Sequence, residues 1–196
     1  MEHLTTIPIC SNALFIYKLD IKEDLSLEFK EEKFTSIVGS SSLIGKDFNI
    51  LKKYENLNKE INKAVAITLK EILMLENINY RIFNSWLTKA GPKTSSDIHR
   101  HTNSWLSGVY YPKSDPGFSI KFFYDGISQF FTSPTENNIY NSTDLTIFPE
   151  DNHLILFFSN LRHKIMPNQS TKDRFSLSFN ILPKGQFGDS DSNVIF

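Results

Sequence analysis

The segment that decides the fold of this chain reads His99-Arg-His-Thr-Asn-Ser-Trp-Leu-Ser-Gly-Val-Tyr-Tyr111. From Ser104 onward it is rich in aromatic and aliphatic residues, a composition typical of a buried β-strand. Its first three residues place a histidine on either side of an arginine, and side chains two positions apart on a strand point to the same face. The segment therefore predicts a pair of imidazoles, from His99 and His101, directly before a strand.

A third histidine, His163, lies after another apolar stretch, Leu154-Ile-Leu-Phe-Phe158. A histidine from a distant strand can complete a set of three ligands on one side of a metal ion, which leaves positions for oxygen and a co-substrate. We therefore predict a catalytic metal site formed by His99, His101 and His163, with Fe(II) as the expected ion.

The residues alone leave the third ligand and the metal open. Iron oxygenases usually use two histidines and one carboxylate, and Asp97 shares the strand face of His99 if that strand extends backwards. Three neutral imidazoles also resemble a catalytic zinc site. Asp97 is therefore the alternative to His101 as a ligand, and zinc is the alternative to iron.

The last predicted strand, Arg174-Phe-Ser-Leu-Ser-Phe-Asn180, indicates an anion site beside the metal. Strand alternation places its arginine, serines and asparagine on one face and its apolar residues on the other. Arginine offers two parallel hydrogen bonds to a carboxylate, and a hydroxyl two residues further on can add a third. Arg174 and Ser176 are therefore predicted to bind a carboxylate, which Tyr111 and Ser107 can also reach.

Eight segments after Tyr80 have the composition and the turn punctuation of short β-strands. Their predicted positions are 80–89, 98–101, 104–112, 117–124, 143–148, 153–158, 161–166 and 173–182. Eight short strands separated by turns suggest a jelly roll. The long polar stretch 125–142 is either a lid or a surface loop.

The region before residue 80 is predicted to support this β core. Residues 1–19 contain a strand, and short helices are expected near 22–33 and 45–54. A longer helix is predicted over 56–76, where apolar residues recur at three- and four-residue steps. The apolar stripe of this helix is expected to pack on a sheet. The apolar face of the last strand also needs to be buried, and the helix can bury it.

Length and composition indicate one globular domain. The chain has 196 residues, a net charge of −1, 40% hydrophobic residues and a single cysteine, Cys10. We expect a mainly β fold with flanking α, in which 1–79 form the strand and helical support, 80–183 the core and 184–196 a loose tail. One cysteine forms no internal disulfide, so a cytoplasmic location is expected. The near-neutral charge predicts neither nucleic acid nor membrane as a partner; the oligomeric state is not predicted.

Taken together, these motifs resemble a known family. The segment 99–111, preceded by Asn84-Ser-Trp86 and followed by His163-Lys-Ile-Met-Pro-Asn168 and the strand 174–180, is similar to the 2-oxoglutarate/Fe(II)-dependent oxygenases of bacteria and their phages, within the prolyl-hydroxylase-like superfamily. The similarity covers roughly residues 80–183.

The resemblance implies a double-stranded β-helix, a distorted jelly roll, with Fe(II) as cofactor and 2-oxoglutarate as co-substrate. His99 and His163 match the two histidine ligands, and His101 stands where most members have Asp or Glu. Arg174, assisted by Ser176, matches the residue that binds the distal carboxylate of 2-oxoglutarate. Tyr111 matches a tyrosine that contacts the same molecule. The substrate side is assigned to four further residues, Asn84, Trp86, Asn103 and Trp105.

The implied activity is a dioxygenase, a hydroxylase that couples decarboxylation of 2-oxoglutarate to succinate with oxidation of a substrate C–H bond. Two alternatives stay open from the residues. One is a cupin-like three-histidine metalloenzyme, or a zinc hydrolase, that does not use 2-oxoglutarate. The other is a jelly-roll binding module without catalysis. The primary substrate is not predicted.

Overall fold

The computed structural model describes Thr5 and residues 12–75, 78–124, 134–138 and 141–195. The strands are β1 (Leu14–Lys18), β2 (Phe34–Ile37), β3 (Ser40–Gly45), β4 (Asn79–Ala90), β5 (Leu106–Tyr111), β6 (Ile120–Phe123), β7 (Asp144–Ile147), β8 (His153–Phe158), β9 (Arg162–Ile165), β10 (Arg174–Lys184), β11 (Gln186–Phe187) and β12 (Val194–Ile195). The α-helices are α1 (Leu25–Lys30) and α2 (Glu55–Ile67). A π-helical turn extends α2 over Thr68–Ile72, and 3-10 turns lie at Ile50–Lys53 and Ser190–Ser192.

Two antiparallel sheets form the core of the molecule. The larger has seven strands in the order β1-β8-β5-β10-β4-β3-β2, and the smaller has three in the order β7-β6-β9. One cluster of buried apolar side chains joins β5 and β8 of the large sheet to β6 of the small one: Val109, Tyr111, Ile120, Phe122, Ile155, Phe157 and Leu161. Two sheets that share a core form the jelly roll predicted from the strand pattern, so the mainly β fold is confirmed.

A second core covers the other face of the large sheet. The odd-numbered residues of β10 from Phe175 to Ile181 and the apolar stripe of α2 from Leu57 to Val65 belong to one buried cluster. This agrees with the expectation that the long helix lies over the apolar face of the last strand. The arrangement leaves the even-numbered residues of β10 on the opposite face, towards the small sheet.

Gly108 in the middle of β5 is required by this packing. A Cβ atom at that position would lie 2.3 Å from Cζ of Phe179 and 2.7 Å from Cδ2 of Leu156. Both neighbours are fully buried. The glycine in the Ser-Gly-Val-Tyr-Tyr motif therefore lets the strands on either side of β5 pack against its backbone.

The N-terminal region contains a hairpin that the sequence does not predict. Strands β2 and β3 pair with each other, and β3 pairs with β4 through Leu43 and Ile44. Most residues of β2 are exposed, so this strand lacks the alternation of a half-buried strand. Short helical elements do form within two predicted ranges, as α1 and the 3-10 turn at Ile50–Lys53.

Two other segments also differ in detail from the expectations. Residues 98–101 form no continuous strand; His99 makes one isolated bridge to His163. The final segment contains the small hairpin β11–β12, where a loose tail is expected. Most of the candidate lid, 125–142, lies outside the described residues. None of the described helices is long and apolar enough to cross a bilayer.

Candidate metal centre

Backbone hydrogen bonds bring the three predicted ligands together. His99 and His163 exchange two N–H···O bonds of 2.9 Å, and the N–H of His101 donates to the carbonyl of Ser159 at 3.0 Å. Main-chain hydrogen bonds therefore hold the segment 99–101 against the connection between β8 and β9 and the start of β9. One nitrogen from each ring lies within 4.8 Å of the others, as expected for three ligands of one ion.

The Nδ1 atom of each ring already has a hydrogen-bond partner. Nδ1 of His99 donates to the carbonyl of Asp97, and Nδ1 of His163 donates to the carbonyl of Leu161, both at 2.9 Å. Nδ1 of His101 lies 2.6 Å from Oδ1 of Asn180. A carbonyl oxygen only accepts, so these bonds place the proton of the first two rings on Nδ1 and leave Nε2 free to bind a metal.

Burial favours the neutral form of two of these rings. It lowers the pKa of His163 to about 3, assisted by the neighbouring His99. It also lowers the pKa of His101 to about 4, against the opposing effect of the hydrogen bond to Asn180. Both imidazoles are therefore neutral at physiological pH, and neutral imidazole is the form that binds metal.

The structure places Asp97 outside this cluster. It lies on the exposed surface, and its carboxylate is directed towards Gly39, where an added Cβ would be 3.4 Å from Oδ2. Its carbonyl, not its carboxylate, contacts His99. Among the described residues, the only group of three or more potential metal ligands is the three histidines.

A cavity leads from the histidines along the inner face of the large sheet. Three neighbouring strands form its floor: Thr88 and Trp86 of β4 lie opposite Ser176 and Ser178 of β10. On the other side of β10, Tyr111 and Val109 of β5 complete the floor. Phe157, Ile120 and Ile165 supply apolar walls. The cavity is thus a mostly apolar slot with a row of hydroxyl groups.

Arg174 begins β10, two residues before the cavity-lining Ser176 and on the same strand face, in the direction away from Asn180 and His101. Its side chain is buried, and its guanidinium carbon is 5.6 Å from the ring centroid of Tyr111. Its Nε and Nη2 atoms have no hydrogen-bond partner among the described residues. Burial lowers the pKa of Arg174 and raises that of Tyr111. A buried guanidinium with unused donors is costly unless an anion pairs with it.

The distance between the two ends follows from strand register. Ser107 pairs with Asn180 at the metal end, and Tyr110 pairs with Leu177 towards the arginine end, so Tyr111 and Ser176 are the next residues along the two strands. Four residues along each strand correspond to roughly 13 Å. The inner face therefore presents a metal-binding end and an anion-binding end on one continuous surface.

Some predicted residues have other surroundings than expected. Ser107 is bonded to Asn180 at 2.7 Å and to Ser159 at 2.8 Å, so its hydroxyl lies behind His101 and not among the cavity-lining residues described. Trp105 packs against the second core, between the large sheet and α2 (the helix-side core), and Asn103 is exposed. Asn84 lines a different surface groove.

The site contains one further residue that was predicted from the sequence and several that were not. Trp86 was expected on the substrate side and does line the cavity, 5.5 Å from the ring of His101. Thr88, Phe122 and Phe157 were not singled out, because nothing in their local sequence distinguishes them from ordinary strand residues. The position of Asn180 on the polar face of the last strand was a usable signal.

The donor set and the unpaired arginine fit the two groups that the sequence implies. Three neutral nitrogen donors suit a divalent transition metal such as Fe(II). Two donor nitrogens without a partner, Nε and Nη2 of a buried guanidinium, suit a carboxylate such as the distal one of 2-oxoglutarate. The match to Fe(II) and the match to 2-oxoglutarate are both argued from side chains of the protein itself.

Comparisons with known proteins agree with this chemistry. A family described as "Putative 2OG-Fe(II) oxygenase" matches residues 84–180. No curated protein matches the sequence at a significant level.

Several solved structures share the fold at low sequence identity. A prolyl-4-hydroxylase from Pseudomonas putida is 16% identical, with a TM-score of 0.57 over 89% of this chain and 95% of that one. A Trichoplax adhaerens prolyl hydroxylase, solved with a peptide of hypoxia inducible factor, is 13% identical, with a TM-score of 0.59 over 88% and 84%. The epimerase SnoN, solved with Fe3+, alpha ketoglutarate and nogalamycin RO, is 12% identical, with a TM-score of 0.62 over 87% and 78%.

The family match begins at Asn84 and ends at Asn180, so it includes all three histidines and Arg174. It also includes the whole floor of the cavity. Fe(II) and 2-oxoglutarate are the cofactor and co-substrate of this family. The chain belongs to the 2-oxoglutarate- and Fe(II)-dependent oxygenases.

Proposed function

We propose that His99, His101 and His163 bind Fe(II) through their Nε2 atoms, and that Arg174 binds the distal carboxylate of 2-oxoglutarate. Ser176 and Tyr111 are proposed to assist Arg174. The reaction that this site supports best is hydroxylation of a C–H bond. The observation that carries the proposal is the buried guanidinium of Arg174, whose unused donors share an inner sheet face with the histidine cluster.

The unpaired arginine also separates this proposal from its alternatives. A zinc hydrolase or a three-histidine cupin without a dicarboxylate co-substrate has no use for a buried cation at the start of β10, on the strand face of the cavity-lining serines. A binding module with structural histidines has no reason to leave three ring nitrogens facing one point. Both features are explained together by a metal and a dicarboxylate.

When bound, iron with 2-oxoglutarate and oxygen supplies the oxidising chemistry: one oxygen atom enters a C–H bond, the other enters succinate, and CO2 is released. The chain supplies position and a dry environment. Arg174 orients the co-substrate by its distal end. The aromatic walls, Phe157 and Phe122, exclude water from the buried face of His163, which they contact at 4.8 and 5.7 Å between ring centroids.

The substrate is proposed to approach on the side of His99. This ring is exposed, whereas His163 is buried and His101 is partly buried. Trp86 lies next to His101 and lines the same cavity, so it is the best-placed side chain to contact a substrate. The same scaffold carries hydroxylases and an epimerase, and hydroxylation is therefore the part of the proposal that needs a direct product assay.

A cytoplasmic location is also proposed. The single cysteine forms no internal disulfide, and Fe(II) is retained best in a reducing compartment.

The test is an anaerobic titration of metal-free protein with Fe(II) and 2-oxoglutarate, monitored by the visible metal-to-ligand charge-transfer band. We expect a band that requires both additions and disappears in His163→Ala. In Arg174→Met the band should require about ten- to hundred-fold more 2-oxoglutarate, since hydrogen bonds to charged groups contribute about 1.5–3 kcal/mol.

Matched controls are His153→Ala and Arg81→Met. His153 contacts Glu150, and Arg81 is exposed on β4, so both variants should behave as the unmodified protein. Metal binding without the band would contradict the co-substrate site and favour a cupin or zinc enzyme. An unchanged requirement for 2-oxoglutarate in Arg174→Met would contradict the role of Arg174.

A further inference from the structure

We propose that Asn180 is a positioning residue, which together with Ser107 holds His101 in the Nδ1–H tautomer and so makes an imidazole usable where the family usually has a carboxylate. The inference rests on the metal site proposed above. It concerns how the chain orients one ligand, and it does not depend on the identity of the substrate.

Four buried or partly buried polar groups form one connected network around the outer edge of His101. Nδ1 of His101 lies 2.6 Å from Oδ1 of Asn180 and 2.8 Å from Oγ of Ser107. The hydroxyl of Ser107 donates to the same Oδ1 at 2.7 Å and lies 2.8 Å from Oγ of Ser159. The serines are 0% exposed and Asn180 is 6% exposed.

The protons of this network can be assigned from its own geometry. Oδ1 of Asn180 only accepts, and the single hydroxyl proton of Ser107 is used on it. Nδ1 of His101 faces both oxygens, so it must carry a proton of its own to be satisfied. The result is a protonated Nδ1 and a free electron pair on Nε2.

The network also fixes where the ring lies. Ser159 contributes to the position of His101 in two ways. Its carbonyl accepts the backbone N–H of His101 at 3.0 Å, and its hydroxyl contacts Ser107, which in turn contacts the imidazole. Ser107 and Asn180 lie directly opposite each other on β5 and β10. The imidazole is therefore supported by the two central strands of the large sheet, which are rigid elements with buried side chains.

Chemistry explains why asparagine suits histidine here. A ligating imidazole needs an acceptor behind it, whereas a ligating carboxylate needs donors. Asn180 presents its Oδ1, an acceptor, to Nδ1 of His101 at 2.6 Å, which matches a protonated Nδ1 on a ligating imidazole.

The first test needs no metal and no variant of Asn180. In 15N-labelled, metal-free protein, long-range 1H–15N NMR distinguishes the two neutral tautomers of His101, with assignment by comparison with His101→Gln. We expect the Nδ1–H form. A predominantly Nε2–H form would overturn the proposal, and this result is obtained even if a variant of Asn180 does not fold.

The second test measures Co(II) affinity and the visible d–d spectrum. Asn180→Leu removes the acceptor and should weaken Co(II) binding about ten- to hundred-fold, the usual effect of losing such a partner. Asn180→Asp keeps an acceptor oxygen and should retain affinity and spectrum. Asn58→Leu is the matched control, because Asn58 lies on α2, which packs on the face of the large sheet opposite the histidines, and this variant should bind Co(II) as the unmodified protein does.

The outcomes separate this inference from the proposed function. If the unmodified protein binds Co(II) and Asn180→Leu binds it with equal affinity and an identical spectrum, the role of Asn180 is overturned while the metal site stands. If the unmodified protein does not bind Co(II) at all, the three-histidine metal site itself is overturned, and the role of Asn180 in it falls as well.

Discussion

Arg174 illustrates how one residue can lower stability and serve function. Its charge is buried without a partner for Nε or Nη2 among the described residues, and the desolvation of an unpaired charge costs free energy. We predict that Arg174→Met increases the free energy of unfolding of the ligand-free protein by on the order of 1 to 3 kcal/mol. Urea denaturation without 2-oxoglutarate measures this.

The exposed Arg81 provides the comparison, since Arg81→Met removes a solvated charge and should change the free energy of unfolding little. A clear loss of stability in Arg174→Met would show that the guanidinium already has a structural partner. In that case its assignment to the co-substrate would lose its main support.

The buried histidines predict a pH dependence for the metal-free protein. The pKa values of His101 and His163 are lowered to about 4 and about 3 in the folded state, whereas an unfolded histidine has a pKa near 6.5. The unfolded chain therefore binds more protons in this range, and stability falls as pH falls. Between pH 6.5 and 5.5 the loss should be about 1 kcal/mol for each histidine.

Urea denaturation at closely spaced pH values measures that slope. Replacing both residues, as His101→Gln with His163→Asn, should remove most of it, while His153→Asn should not. A slope that survives the double replacement would assign the pH dependence to other groups.

At the scale of elements, β5 depends on Gly108. An added methyl group would collide with the rings and methyls of Phe179 and Leu156, which lie in fully buried positions. We predict that Gly108→Ala destabilises the protein by about 1–3 kcal/mol, the usual cost of overpacking. Thermal or urea unfolding of the variant tests this.

Gly91→Ala is the matched control, because the nearest atom to its added Cβ is 3.4 Å away. It should change the free energy of unfolding by much less. Equal effects of the two substitutions would contradict the requirement for close packing at Gly108.

Register between elements determines the site as much as the residues do. Asn180 reaches His101 only because β10 pairs with β5 so that Asn180 lies opposite Ser107. A shift of one residue would turn Arg174 and Asn180 into the helix-side core. The alternation of β10 predicts that these residues share a face, but the partner strand comes from the folded sheet.

At the scale of the whole molecule, the proposed metal joins the two sheets. His163 belongs to β9 of the small sheet, whereas His101 is held by β5 and β10 of the large one. Neither of the two buried apolar clusters includes any of the three histidines. We predict that chelator-treated protein stays folded and that a bound divalent metal adds about 2.7 kcal/mol at a free concentration of 100 times Kd.

Thermal unfolding with and without Ni(II) or Co(II) measures this effect. His163→Ala should lose the metal-dependent increase in Tm, and His153→Ala should keep it. Unfolding on metal removal alone would show that the ion is part of the core, which the two clusters do not suggest.

The sequence by itself determined the chemistry of this protein and most of its strands. The spacing of His99, His101 and His163 and the polar face that begins at Arg174 are local patterns, and side-chain alternation turns them into predictions. Amphipathic periodicity likewise predicted the long helix, which forms as α2 and its π-helical turn.

Only the tertiary structure decided which neighbours these residues have. It places Asp97 outside the histidine cluster. It puts the hydroxyl of Ser107 next to His101 and not at the anion-binding end, and it packs Trp105 against the helix-side core. It also forms the β2–β3 hairpin, in which β2 is mostly exposed and lacks the apolar alternation by which a strand is predicted. The physical reason is that hydrogen bonds between strands and burial depend on contacts between residues far apart in the chain, and no local pattern encodes them.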